Sequence, residues 1–199
     1  LRRKETGGLM AWWRKSSPEP QAPVISTPGI RQDYVPKAWA QHRFGLPEAR
    51  WRSLAGKAYW VIGAGTGYGR SIAIALAAAG AHVYISGRRA EKLQETIEEA
   101  AALGIEAERF LIPVPMDATN DAGITATVRA IENGGLGVHG LVNCAAVPQR
   151  ETPYPLLDQP PEEWSQMMAV NVTAQWRCVQ ALTPLLAASR SLRAIFMTS

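Results

Sequence analysis

From Lys57 onward, apolar runs of strand length alternate with amphipathic stretches of helix length. Ala58–Ile62 (AYWVI) is a short apolar run that stops at a glycine cluster. Gly69–Ala79 is small and apolar almost throughout, which predicts a buried helix stopped by Gly80. His82–Ser86 (HVYIS) reads as a second strand. Across Ala90–Leu103, Leu93, Ile97 and Ala101 share one face and Glu91, Glu95 and Glu99 another, as in a half-buried helix, and Gly104 ends it. Phe110–Met116 predicts a third strand, and the prolines inside it suit an edge position. Asp121–Glu132 predicts a helix with Ile124, Val128 and Ile131 on one side, and Gly140–Cys144 (GLVNC) a fourth strand. Glu162–Ala188 reads as one long helix, with Pro184 allowing a kink near its end, and Arg193–Thr198 (RAIFMT) as a fifth strand.

Strands and helices alternating at this spacing predict a parallel sheet covered on both faces. Right-handed crossovers then give a doubly wound α/β architecture. Residues 1–56 lack this periodicity. They hold six of the 14 prolines and four of the seven tryptophans, with turn punctuation at Ser16–Pro20 and Ser26–Gly29. The predicted organisation is therefore an N-terminal extension, 1–56, followed by one α/β domain, 57–199. Charge divides at the same place. The net +4 of the whole chain is +6 over residues 1–56 and −2 over the rest. Trp12, Trp13, Arg14 and Lys15 form a basic aromatic patch. It reads either as a membrane-surface or partner-docking peptide or as an arm that tucks its tryptophans onto its own domain. Ten basic residues spread over 56 positions without a recognised motif do not make a nucleic-acid reader.

No run of about 18 apolar residues is present, so no membrane span is expected. The two cysteines, Cys144 and Cys178, and the three histidines show no metal-ligand spacing, so neither a metal site nor a disulfide framework is expected. The cysteine usage suits a reducing compartment, the cytoplasm by default. No apolar signal core follows the early arginines, which argues against secretion. An arginine-bearing, acid-poor start leaves an organelle interior such as the mitochondrial matrix as the alternative.

The first strand runs into Gly63-Ala64-Gly65-Thr66-Gly67-Tyr68-Gly69 and directly into a helix. Glycine permits positive φ and close backbone approach to a ligand, and a helix N-terminus offers unpaired N–H groups to a phosphate. The glycines at 63, 67 and 69 fit G-x-x-x-G-x-G; the commoner G-x-G-x-x-G fails because residue 68 is tyrosine. The plain alternative is a tight turn that packs helix on sheet without a nucleotide. With the lead-in Leu54-Ala55-Gly56-Lys57, this stretch resembles the short-chain dehydrogenase/reductase family, and the resemblance continues through residue 199. It implies a Rossmann-type sheet in the order 3-2-1-4-5, lacking the C-terminal part of the family fold. One departure is Ile62, where the family usually has threonine.

After the second strand stands Ser86-Gly87-Arg88-Arg89, with no acid before Glu91. Folds that prefer NAD place an acid here for the ribose 2′-hydroxyl, whereas arginine suits a phosphate. Arg88, with Arg89 beside it, therefore points to NADP(H), as in the NADP-preferring members of the family; the other reading is a pair of solvated loop arginines. The resemblance further implies a cofactor-binding set of Gly63, Gly65, Thr66, Gly67, Tyr68 and Gly69, with Asp117 and Ala118 at the adenine. Asp117 is equally at home as an ordinary turn or cap residue. Asn143-Cys144-Ala145-Ala146 stands where the family has Asn-Asn-Ala-Gly. By resemblance, Asn143 bonds neighbouring strands and the backbone around Ala145 lines the ribose. Cys144 has no histidine partner in view and reads as a buried thiol.

For the chemistry, Asn171 within Ala169-Val170-Asn171-Val172-Thr173 resembles the family's catalytic asparagine, acting through a local helix distortion. The alternative is a satisfied core amide. Ser199, with Thr198 as its one-residue alternative, matches the serine that polarises the substrate carbonyl. The family's Tyr-x-x-x-Lys acid/base pair has no counterpart: four residues after Tyr34, Tyr59, Tyr68, Tyr84 and Tyr154 stand Ala38, Gly63, Ile72, Arg88 and Asp158. The resemblance therefore implies an NADP(H)-dependent oxidoreductase acting on a small carbonyl or alcohol, present as an incomplete chain that is inactive alone. The competing reading is a non-catalytic nucleotide-binding or structural subunit of a larger assembly; a homo-oligomer or larger assembly is the partner expectation. An incomplete sheet would leave Leu182, Leu186, Ile195 and Phe196 uncovered.

Overall fold

A computed structural model describes residues 48–147, 159–189 and 193–197. The patch at Trp12–Lys15 and the strand-end residues Thr198 and Ser199 lie outside the described residues. The elements are α1 (Glu48–Arg52), β1 (Ala58–Ile62), α2 (Gly67–Ala78), β2 (His82–Ser86), α3 (Ala90–Ala102), α4 (Ala107–Phe110), β3 (Leu111–Pro113), α5 (Asp121–Asn133) and β4 (Gly140–Asn143). After these come α6 (Pro161–Met168), a π-helical segment (Ala169–Ala174), α7 (Gln175–Ala188) and β5 (Ala194–Phe196).

The five strands form one parallel sheet in the order β3-β2-β1-β4-β5. The expected Rossmann-type doubly wound fold is thus present. Strand β1 occupies the centre and all five of its residues are buried, as a strand covered on both faces requires. Its alternating side chains feed two cores. Trp60 and Ile62 pack with Tyr84, Ile124, Ile131, Leu141, Cys178 and Leu182, beneath α5 and α7. Val61 packs with Ile74, Val83, Ile85, Leu93 and Ile97, beneath α2 and α3. Trp60 is fully buried and its indole N–H donates to Ser86 Oγ at 2.9 Å, so the polar edge of a large apolar side chain is not stranded.

Several expectations shift. The helix after the glycine turn starts at Gly67, two residues early. In α3, Ala100 is buried and Ala101 exposed, so the inward stripe is Leu93, Thr96, Ile97 and Ala100. The third strand keeps only Leu111–Pro113, because α4 takes up Phe110 and the residues after Ile112 alternate with prolines that lack an N–H. Parallel bonding nevertheless runs on, with Val114 N–H donating to Ile85 O at 2.9 Å and Met116 N–H to Gly87 O at 3.0 Å. Strand β3 lies at the sheet edge, as its prolines suggest. Leu182 and Leu186 are not uncovered: they pack under the sheet at 0% and 3% exposure, because α7 turns that face inward. Ile195 and Phe196 on edge strand β5 are exposed, as anticipated.

Candidate functional site

The C-terminal ends of β1 and β4 lie side by side, with Ile62 in register with Ser86 on one flank and Asn143 on the other. The chain leaves β1 toward α2 and β4 toward the other face, which opens a crevice at the strand ends, the usual ligand position in a doubly wound sheet. A cavity of about 680 Å³ occupies it.

The glycine turn forms the floor of this crevice. Gly63 has φ +81° and lies against β4: a Cβ there would meet Ala145 N and Cys144 C at 2.8 Å. Gly69 fits under the same turn, where a Cβ would meet Gly63 O. Backbone bonds from Gly63 N and Ala64 N to Ser86 O, at 2.8 and 3.1 Å, pin the turn to β2. Buried Thr96 donates its hydroxyl to Ala64 O at 2.9 Å and fixes the turn from the α3 side. Thr66 takes the N-cap position of α2 without a side-chain cap bond, and the first turn holds no acid. The first N–H groups of α2 are thus left to a ligand. Buried Ile62 fills with apolar packing the place the family gives to threonine.

Gly63, Gly65, Thr66, Gly67, Tyr68 and Gly69 all line the cavity. Arg88, Arg89, Asp117, Ala118 and Ala145 line it as well, so residues from four strand ends converge on one space. Asp117 Oδ1 accepts from Thr119 N at 2.9 Å and Thr119 Oγ1 at 2.8 Å. These bonds, the backbone one first, hold its carboxyl below the usual carboxylate range, and Arg88 adds to the effect. Asp117 is thus a turn residue, and both bonds use one of its oxygens. A cavity lined by a glycine turn, the start of a helix with no acid in its first turn and two arginines suits an anionic ligand.

Asn143 is fully buried but does not line the cavity. Its Oδ1 accepts from Ala145 N at 3.1 Å, so the side chain turns back on its own turn instead of reaching across the sheet. Its Nδ2 has no hydrogen-bond partner among the described residues. Asn171 lies in the π-helical segment, where the helix distortion anticipated for it occurs. Its Oδ1 accepts from Val147 N at 2.9 Å, and Gln175 Nε2 donates to Ala145 O at 3.3 Å. Two amides from one helix thus brace the turn after β4. Cys144 lines the cavity and burial pushes its thiol up; burial also pushes the Cys178 thiol up to about 12. Neither environment activates a nucleophile.

Three residues of the site carry little sequence signal. Lys92 lines the cavity beside the arginines. Arg70 donates to Gly65 O through Nε at 3.1 Å and Nη2 at 2.6 Å. Gln175 is buried where a helix pattern reads simply as polar. The available signs were positional: Arg70 directly follows the glycine turn, and Lys92 stands three residues before Glu95. Among the described residues no cluster of three metal-ligating side chains occurs, and no helix is long and apolar enough to cross a membrane.

Comparison with known proteins adds four matches. The family model described as short chain dehydrogenase matches residues 57–199. The chain is 33% identical over 131 residues to the 5-keto-D-gluconate 5-reductase of Escherichia coli, covering 66% of this chain and 49% of that protein. The chain thus spans about half the length of the curated relatives it matches. Among solved structures, a short-chain type dehydrogenase/reductase from Mycobacterium ulcerans superposes with TM-score 0.66 at 28% identity, over 73% of this chain and 52% of that one. A metagenomic short-chain oxidoreductase in complex with NADP superposes with TM-score 0.64 at 30% identity, over 74% of this chain and 64% of that one.

Proposed function

This chain belongs to the short-chain dehydrogenase/reductase family, and we propose that it carries the cofactor-binding part of an NADP(H)-dependent oxidoreductase acting on a small carbonyl or alcohol. The observation that carries this reading is the convergence of the glycine turn and the Arg88–Arg89 pair on one cavity. When bound, the nicotinamide supplies or accepts the hydride. The N–H groups at the start of α2 bind the pyrophosphate, and Gly63, Gly65 and Gly69 let the backbone come close enough to do so. Arg88 holds the 2′-phosphate, with Arg89 beside it, in a fork geometry suited to several phosphate oxygens. Asp117 directs its second oxygen to the adenine amino group, next to the backbone of Ala118. The turn at Ala145 borders the ribose, and buried Asn143 keeps that turn closed.

Asn171 orients the reacting end by fixing Val147 N and thereby the turn that faces the nicotinamide. Ser199 is assigned the substrate carbonyl. Reduction also needs a proton donor beside the carbonyl oxygen, and none of the five tyrosines is followed four residues on by lysine. The described residues are therefore assigned binding and positioning, and the proton comes from outside them. The +6 arm, residues 1–56, is read as a separate extension.

The test is a calorimetric titration of the chain with NADPH and with NADH. A preference for NADPH of about tenfold or more is expected, the worth of one charge-assisted contact. Equal affinity for the two cofactors overturns the 2′-phosphate assignment, and no binding of either overturns the nucleotide site.

A further inference from the structure

The peptide unit between Gly65 and Thr66 is gripped from outside the cavity. Arg70, near the start of α2, donates to Gly65 O through Nε at 3.1 Å and Nη2 at 2.6 Å. Arg70 does not line the cavity, so the carbonyl it grips points out of that space. A trans peptide is planar, with its N–H antiparallel to its C=O. The Thr66 N–H of the same unit is therefore aimed the other way, into the cavity that Gly65 and Thr66 line. It donates to no group among the described residues. The guanidinium is itself anchored. Nη2 also donates to Glu95 Oε2 at 3.0 Å and Nη1 to Glu99 Oε2 at 3.1 Å, both on α3. Hydrogen bonds from Lys92 first and Arg70 second hold the Glu95 carboxyl below the usual carboxylate range, so this anchor stays charged at neutral pH. Ion pairs as exposed as these contribute little by themselves. A planar fork that spends two donors on one backbone carbonyl fixes a direction.

Resting on the nucleotide reading above, we propose that Arg70 is a positioning residue: its grip on Gly65 O locks the Gly65–Thr66 peptide with the Thr66 N–H toward the pyrophosphate. The lock matters because glycine at 65 lets this peptide unit rotate at little cost. The reversed unit would present the negative end of a carbonyl dipole to an anionic ligand. In the locked orientation the Thr66 N–H joins the N–H groups at the start of α2, and its bond to a phosphate oxygen is charge-assisted. Arg70 does not touch the ligand. It acts through one backbone plane, and its own charge is engaged by Glu95 and Glu99 on the far side of that plane.

NMR titration of the isotope-labelled 199-residue chain tests this, with NADPH and 2′-AMP as the probes. Both carry the 2′-phosphate, and only NADPH carries the pyrophosphate. Arg70→Met should weaken NADPH about tenfold, the worth of one charge-assisted bond, and leave 2′-AMP unchanged. NADPH should move the Thr66 amide proton resonance downfield in the parent and not in Arg70→Met. Arg70→Lys keeps the charge and loses the fork, so it should fall between the two on both readouts. It carries the comparison alone if Arg70→Met does not fold, and the Thr66 resonance decides where 2′-AMP binds too weakly to follow. Equal weakening of both probes would reduce Arg70 to a support of the turn. A Thr66 response that survives in Arg70→Met, or parental NADPH affinity in either variant, would overturn its role. In each of these cases the nucleotide site stands. If the parent does not bind NADPH, the nucleotide reading falls and the Arg70 proposal with it.

Discussion

Gly63 and Gly104 share a left-handed φ and differ in what surrounds them. Their φ values are +81° and +82°, yet a Cβ at Gly63 would meet Ala145 N, Cys144 C and Cys144 O at 2.8–2.9 Å, while one at Gly104 would meet nothing within 4 Å. Replacing each by alanine therefore separates conformational strain from steric exclusion. The left-handed conformation costs an alanine about 1–2 kcal/mol, offset by about 0.4–1 kcal/mol from a less flexible unfolded chain. Gly104→Ala should then destabilise by about 1 kcal/mol. Gly63→Ala adds an overlap with backbone that no side-chain rotation relieves, about 1–3 kcal/mol more. At about 2–4 °C per kcal/mol for a chain of this size, the expected losses in midpoint are about 2–4 °C for Gly104→Ala and about 4–16 °C for Gly63→Ala. Thermal unfolding followed by far-UV circular dichroism reads both. NADPH titration should show binding lost for Gly63→Ala and kept for Gly104→Ala. Equal destabilisation by the two substitutions would refute the close approach of the β1–α2 turn to the end of β4.

Two further outcomes follow from titrating groups. Thiolate is the reactive form of cysteine and burial raises the Cys144 pKa, so alkylation of Cys144 should be slower at pH 7 than that of a free thiol and accelerate at alkaline pH. Mass spectrometry should find Cys178 unmodified in the folded chain, and NADPH should slow labelling at Cys144; labelling of Cys144 at the free-thiol rate would contradict its burial. Asp117 has a lowered folded-state pKa, so its stabilisation is present above the unfolded value of about 3.9 and is lost as pH falls through the lower folded value. The gap in unfolding midpoint between the parent and Asp117→Asn should be open at pH 6–7 and close toward pH 2; a gap constant across that range would show that the charge of Asp117 contributes nothing.

The architecture was legible because binary pattern and punctuation agree along residues 57–189. Ala58–Ile62 is apolar without alternation, which only a strand buried on both faces tolerates, and it is the central strand. Gly63 and Gly69 announced a crowded turn by their spacing, and the turn is crowded. Where tertiary packing decides, the pattern was less informative. Ala100 and Ala101 are the same residue type, so composition could not say which faces Val61 and Leu93. The burial of Leu182 and Leu186 depends on α7 crossing beneath β4, which periodicity within one helix does not reveal. Arg70, Lys92 and Glu95 read as an ordinary charged surface, because an ion pair has no sequence signature beyond spacing. Their meaning comes from Gly65, which lies far from α3 in the chain and against it in space.

The π-helical segment Ala169–Ala174 also acts as a phase adjuster within the longest helical stretch among the described residues. Each residue in an α-helix turns the chain by about 100°. Asn171 must face Val147, while Cys178, Leu182 and Leu186 must face the sheet. The wide turn lets one continuous helical stretch satisfy both directions. Its residue count is therefore tied to the orientation of everything that follows. Shortening it by one position would swing the buried face of α7 about a quarter-turn away from the core, though no core side chain had been altered.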